Sequence, residues 1–363
     1  MRRLFILLFL LLPHLAWSGE FSAVFINPGK SDEKYWVSVS RFMAAAAADL
    51  NIDLEVRYAE RDHVRMIEHV EAVVRAAKKP DYLVIVNEKA AAPEMLRMAD
   101  EAGIKTLVLL NRLDDTQTLA VGGPRGKFRH WIGSLTPDNT AAGYITAHAL
   151  LQTARKSGHS YGPDGKLHLI AIAGDRSTPA SVQRLQGLDR ALREFPEIQL
   201  DQIVYGEWLQ DRAKDQMDVL AQRYPWARTV WAANDLMAFG AMDSFRARGL
   251  TPGKDVFFSG INNSREALDA VIDGSLSQLA AGHFTAGGWA MVMLYDYHHG
   301  HDFADQGLEL NYPLFTLIDA RAAKRFLERF GEGRFDVIDF RRYSRALTHS
   351  KAPYAFGLEP LLR

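Results

Sequence analysis

The sequence predicts an α/β protein made of two doubly wound parallel-sheet lobes. Three observations point there. Short unbroken runs of Val, Ile and Leu alternate with longer helix-like stretches, the pattern of parallel strands covered on both faces. The alternation comes as two consecutive series. The 363 residues are also too many for one compact domain and suit two.

The first series opens with a strand at Phe21–Ile26 and an alanine-rich helix at Tyr35–Leu50. A strand at Ile52–Tyr58, a helix at Val64–Ala77 and a strand at Tyr82–Val86 follow. A helix at Ala91–Ala102 is stopped by Gly103, and Lys105–Leu110 is the next strand. Leu113–Arg129 is polar, contains Gly122-Gly123-Pro124, and reads as an irregular insertion leading to His130–Leu135. A long helix is expected from Pro137 to Arg155, with Pro137 in its first turn and Asp138 near its positive end. The second series starts at Leu167–Ala173 and interleaves strands at Gln199–Tyr205, Thr229–Ala232 and Val256–Ser259 with helices at Val182–Phe195, Asp211–Tyr224 and Leu236–Arg248. A short helix, a strand at Gln278–Ala281, a helix at Thr285–Tyr297 and a last strand at Pro313–Ile318 complete it. The arginine- and aromatic-rich tail from Gly331 to Arg363 has no clear pattern.

Bulk properties narrow the function. Forty-three basic against 44 acidic residues, a net charge of −1, lack the basic excess of a nucleic-acid binder. With no cysteine there is no disulfide, thiolate nucleophile or cysteine-held metal. Met1-Arg2-Arg3, the apolar run Leu4–Leu12 and the small residues around Ala16-Trp17-Ser18 form a cleavable secretory signal, residues 1–18, with the mature chain starting near Gly19. The run is short of the roughly 20 apolar residues of a membrane span. The expected location is the periplasm.

Ligands of doubly wound sheets bind at the carboxyl ends of the strands, and two such edges facing each other make a cleft. The loop after the first strand runs from Asn27 through Glu33 to the aromatic pair Tyr35 and Trp36. Aromatic faces suit the apolar C–H face of a sugar ring, and Asn, Asp, Glu and Arg suit its hydroxyl rim. Later strand ends supply Asn87-Glu88, Asn111-Arg112, Gly174-Asp175-Arg176 with Arg184 beyond it, Trp208, Asn234-Asp235 and Asn262-Asn263. Each alone is ordinary, since polar residues favour turns and helix caps; the signal is cumulative.

These residues carry a resemblance. The stretch from Phe21 to Ala320 resembles the type I periplasmic binding proteins of the ribose- and galactose-binding group. Its specific parts are the opening strand with its aromatic loop, Asn111-Arg112, the Arg184–Gly187 spacing, and Asn234-Asp235-Leu236-Met237-Ala238-Phe239-Gly240-Ala241, similar to that family's Asn-Asp-x-Met-Ala-x-Gly-Ala pattern. Pro28-Gly29 before Tyr35-Trp36 is also similar to the periplasmic autoinducer-2 receptor, whose borate-binding pattern is not reproduced. The resemblance implies α/β architecture with two doubly wound parallel-sheet lobes joined by a three-stranded hinge, crossing near Gly133–Thr136, Ala280–Thr285 and Leu308–Tyr312. The lobes would be 19–134 plus 283–308, and 135–282 plus 309–363 with the tail. It implies ligand contacts from Glu33, Tyr35, Trp36, Asn87, Asn111, Arg112, Arg184, Trp208, Asn234 and Asn262. Asn111 and Asn262 stand where those sugar binders often have Asp, which leaves Arg112 and Arg184 short of acidic partners; Glu33, Asp235 or an acidic ligand would make up the deficit. At the final crossover, where the family often has Gln or Arg, Ala281 and Gly282 stand beside His283.

The function implied is capture of a small polar ligand, foremost a sugar, by hinge closure and delivery to an ABC permease. A membrane sensor kinase reading the closed form is the alternative partner. The expected state is a monomer without cofactor or metal. His298-His299-Gly300-His301 reads as a solvated helix end, and no His-Glu-x-x-His or Gly-x-Ser-x-Gly motif marks an enzyme.

Overall fold

A computed structural model describes residues 19–158, 162–331 and 333–362. The signal expected at 1–18 lies outside the described residues.

The first sheet is six-stranded. Its strands are β1 (Phe21–Asn27), β2 (Ile52–Tyr58), β3 (Tyr82–Ile85), β4 (Lys105–Leu109), β5 (Trp131–Pro137) and β11 (Glu309–Tyr312), in the order β11-β5-β4-β3-β1-β2. Every pairing in it is parallel. β1 is buried along its whole length, as a strand with helices on both faces must be. On one face lie α1 (Lys34–Asp49) and α10 (Ala286–His298); on the other lie α2 (His63–Arg75) and α3 (Ala92–Glu101).

The second sheet has strands β6 (Leu167–Ala173), β7 (Ile198–Tyr205), β8 (Thr229–Ala232), β9 (Phe257–Ile261), β10 (Gln278–Ala281) and β12 (Thr316–Leu317), ordered β12-β10-β9-β8-β6-β7. All its pairings are parallel except β10 with β12. Its helices are α5 (Asn139–Ser157), α6 (Pro179–Leu192), α7 (Gln210–Arg223), α8 (Asp235–Arg246), α9 (Arg265–Asp273) and α11 (Ala320–Phe330). The chain crosses between lobes after β5, between β10 and α10, and between β11 and β12.

Four expectations change. Leu113–Arg129 is not wholly irregular: it holds α4 (Asp115–Val121), started by a reciprocal capping box between Asp114 and Gln117. Arg125 then ties the segment to Asp302 through two bonds of 2.6 and 2.7 Å. Pro137 ends β5 rather than starting α5, and Asp138 caps that helix by accepting from the Ala141 amide. Residues 309–312, expected in the second lobe, form an outer strand of the first sheet.

The largest change concerns the tail. After α11 it leaves the second lobe and lies across α1 and α10 of the first. Phe335 and Phe340 pack on Phe42, each at 5.1 Å, and the Phe340 amide donates to Asp49. Phe356 stacks on Trp289 at 4.9 Å and 7°. Buried Asp296 on α10 accepts from the amides of Arg345 and Ala346 and from the hydroxyls of Ser344 and Tyr354. The chain then passes the third crossing, where the Tyr312 hydroxyl donates to the Tyr354 carbonyl, and returns to the second lobe through a bond from Thr316 to Glu359. The tail explains why α10 is apolar all round: it packs on α1 from one side and is roofed by the tail on another.

Candidate ligand site between the lobes

The carboxyl ends of the two sheets face each other across a cavity. Three walls enclose it.

The first wall comes from the loops after β1, β2 and β3. Asn27 shapes the first loop, donating to Ser40 Oγ and the Trp36 carbonyl and accepting from the Gly29 amide. Gly29 is required by contact: a Cβ there would sit 2.1 Å from the Trp36 indole. The indole is thereby pressed flat, with its Nε1 buried and without a hydrogen-bond partner among the described residues. Glu60 and Arg61 both have left-handed backbones, pinned by amide bonds to the carbonyls of Gly29 and Pro28. That turn aims Arg61 at Glu33 and Glu88; its Nε reaches Glu33 at 2.9 Å and its Nη1 reaches Glu88 at 2.8 Å. Burial pushes the Glu88 carboxyl above its ordinary range, against the pull of Arg61. Burial acts on Arg61 in the opposite sense, but the two carboxylates hold it firmly protonated.

The second wall comes from the loops after β6, β7, β8 and β9. Trp208 lies flat on Gly174, where a Cβ would be 2.1 Å from the ring, and its Nε1 donates to Asp175 at 2.8 Å. Burial alone would raise the Asp175 carboxyl; bonds from Thr178, Trp208 and Ser177 outweigh it and hold the pKa at about 2. Asn234 caps α8 through the Met237 amide and donates to the Trp208 carbonyl. Asn262 donates to Asp235, which also accepts from Ser264. Arg184 is 4% exposed. It donates to the Asn139 side chain at 2.9 Å and the Ala233 carbonyl at 2.7 Å, beside the rings of Trp208 and Phe315. Among the described residues no carboxylate forms an ion pair with it, and burial lowers its pKa to about 10.

The third wall is the middle crossing. Gly282 has φ +122°, and a Cβ there would sit 2.1 Å from the Leu314 carbonyl of the neighbouring crossing. Only glycine lets the two strands of the hinge approach so closely. The next residue, His283, is stacked between Tyr35 (4.6 Å) and Phe315 (4.5 Å).

Of the residues expected here, Glu33, Tyr35, Trp36, Asn111, Arg184, Trp208, Asn234 and Asn262 line the cavity. Asn87 and Arg112 do not. Asn87 donates to the Arg112 carbonyl and the Gln117 side chain and accepts from the Ala92 amide, so it braces the loop and α4. The Arg112 side chain is exposed. Arg61, Glu88, Asn139, Thr178 and His283 also line the cavity. Arg61 was legible by the same strand-end rule, since it follows β2 directly. Two contacts bridge the lobes outside the cavity: Lys34 pairs with Glu266, and Lys89 reaches Glu207 at 3.2 Å and Asp175 at 3.5 Å. This is a closed arrangement.

Fold and site together define a two-lobed binding protein, and comparison supports the same class: the chain belongs to the periplasmic binding protein family, whose domain model matches residues 23–301. Among solved structures, a periplasmic sugar-binding protein from Pseudomonas fluorescens is 41% identical, with a TM-score of 0.85 over 94% of this chain and all of that one. The galactofuranose-binding protein YtfQ of Escherichia coli is 22% identical over 248 residues, 67% of this chain and 71% of that protein. The xylitol-binding protein of Mycolicibacterium smegmatis is 25% identical over 225 residues, 62% of this chain and 57% of that protein. These are solute-binding proteins, not enzymes.

Proposed function

We propose that this protein captures one neutral sugar in the interlobe cavity, in the periplasm after removal of residues 1–18, and delivers it to an ABC permease. The observation that carries the reading is the make-up of the walls. Two tryptophans pressed flat by glycines face a cavity rimmed with amides, while buried polar atoms of Trp36 and His283 lack partners among the described residues. A buried donor without a partner costs roughly 1–3 kcal/mol, which a ligand hydroxyl would recover. The charges on the lining also favour a neutral guest: Glu33 and Glu88 balance Arg61 and Arg184. The galactofuranose and xylitol of the relatives' names are uncharged polyols of this kind.

Binding works by population shift. The open form admits the sugar; contacts from both lobes exist only when closed, so the ligand favours closure by its differential affinity. The permease then reads the closed outline. A second reading, a sugar with an acid group, rests on Arg184, which is buried without a carboxylate partner among the described residues. Thermal unfolding against neutral sugars, sugar acids and sugar phosphates separates the two, since a ligand bound only by the folded state raises the melting temperature. Stabilisation by a neutral sugar is the expected result. Stabilisation by acids alone would replace the neutral reading, and no response from any class would end the sugar assignment.

A further inference from the structure

Resting on that sugar reading, we propose that His283 selects the ligand, its imidazole edge reading one hydroxyl of the bound sugar. His283 is 2% exposed, yet it lines the cavity. Both its ring nitrogens are buried without a hydrogen-bond partner among the described residues. Its two faces are occupied, by Tyr35 from the first turn of α1 and by Phe315 from the third crossing. The ring cannot tilt to seek another partner without breaking both stacks, so only its edge is free to recognise anything.

The groups around it fix its chemistry. Burial drives its pKa well below 6.5, and the Arg184 guanidinium pushes the same way. Tyr35 is a phenol that burial keeps protonated. Phe315 is apolar, and His283 forms no ion pair among the described residues. The imidazole is therefore neutral and presents one N–H donor and one acceptor nitrogen. A hydroxyl can answer either, because it both accepts and donates. A carboxylate can answer only the donor and an ammonium only the acceptor. The position also lies in the middle crossing between the lobes, next to Gly282.

The test is calorimetry on full-length mature protein with a panel of neutral aldoses, ketoses and alditols, followed by monodeoxy analogues of the tightest binder. His283→Phe keeps an aromatic ring in the stack, at a somewhat larger volume, without the two ring nitrogens. It should bind that sugar at least tenfold more weakly while its unliganded melting temperature stays level or rises, because two orphaned polar atoms are gone. One monodeoxy analogue should lose about tenfold on the native protein and nothing further on His283→Phe, and His283→Asn should recover part of the affinity. Undiminished binding by His283→Phe would overturn the proposal and leave the sugar reading intact. So would an unchanged parent-to-deoxy ratio for every analogue, which would mark a merely structural role. A native protein that binds no neutral sugar would overturn both. ¹⁵N NMR of the unliganded protein is an independent check: the His283 ring should stay neutral from pH 8 to pH 5, and a midpoint near 6.5 would also overturn the proposal.

Discussion

The two lobes present opposite electrostatic solutions to the same cavity. On the first, an arginine is held between two carboxylates, so its charge is met within the wall. On the second, the carboxylates Asp175 and Asp235 brace loops and helix starts, and Arg184 rests on an amide and a carbonyl. The first wall is thus built for rigidity and the second keeps a cation in reserve for whatever enters. Residue type alone would have treated the two arginines as equivalent.

The same substitution in the two lobes should separate these roles. Arg61→Met strands Glu33 and Glu88 without their cation and should cost about 3–5 kcal/mol of stability by denaturant titration. Arg184→Met removes a cation that no carboxylate needs. Its stability cost should be about 1–2 kcal/mol, from the unsatisfied acceptors, while sugar affinity falls about a hundredfold by calorimetry; Arg184→Lys should not restore it, since the planar fork is what fits. Equal stability losses would dissolve the contrast.

Acid titration sharpens it. Asp175 is depressed to about 2 from an ordinary 3.8, so it contributes stability above pH 3.8 that is lost as the pH falls toward 2. Glu88 is raised above its ordinary 4.5, so its contribution has the opposite sign: present below 4.5, lost as the pH rises through its folded-state value. Asp175→Asn should flatten the acid limb of the stability curve between about pH 4 and pH 2, and Glu88→Gln should steepen the loss on acidification above pH 4.5, where the native Glu88 takes up its proton. The two tryptophans give a smaller pair of effects. Trp208→Phe breaks the bond to Asp175 and should cost about 1 kcal/mol in the unliganded protein. Trp36→Phe removes an indole nitrogen with no partner among the described residues and should weaken sugar binding several-fold. Smallest of all, Lys34→Ala at the exposed bridge to Glu266 should change stability by under about 1 kcal/mol and loosen the closed form slightly.

The parts legible in the sequence were those with local signals. Apolar runs between helical stretches marked all but one of the strands, and the Asn234–Ala241 stretch marked the start of α8. β11 was missed because Glu309–Tyr312 is mixed in character, with only Leu310 buried, so it has no apolar run. Asn87 and Arg112 show the limit of the strand-end rule: position places a residue at the rim, but a neighbouring acceptor such as Gln117 decides whether its side chain turns inward. The tail was unreadable because its aromatics are spaced to fit Phe42 and Trp289 on two helices far apart in sequence, a pattern that has no period along the chain.

That tail also sets the order in which the molecule can finish folding. The face of the first lobe made by Phe42 and Trp289 is covered by Phe335, Phe340 and Phe356, and the outer strand of the same sheet is residues 309–312. Both are synthesised after nearly all of the second lobe. The lobe that begins first is therefore completed only after nearly all of the second, and the emerging chain holds a bare aromatic face until then. Once closed over it, the tail holds contacts with both lobes, so unravelling the tail exposes the aromatic face of the first and loosens its tie to the second.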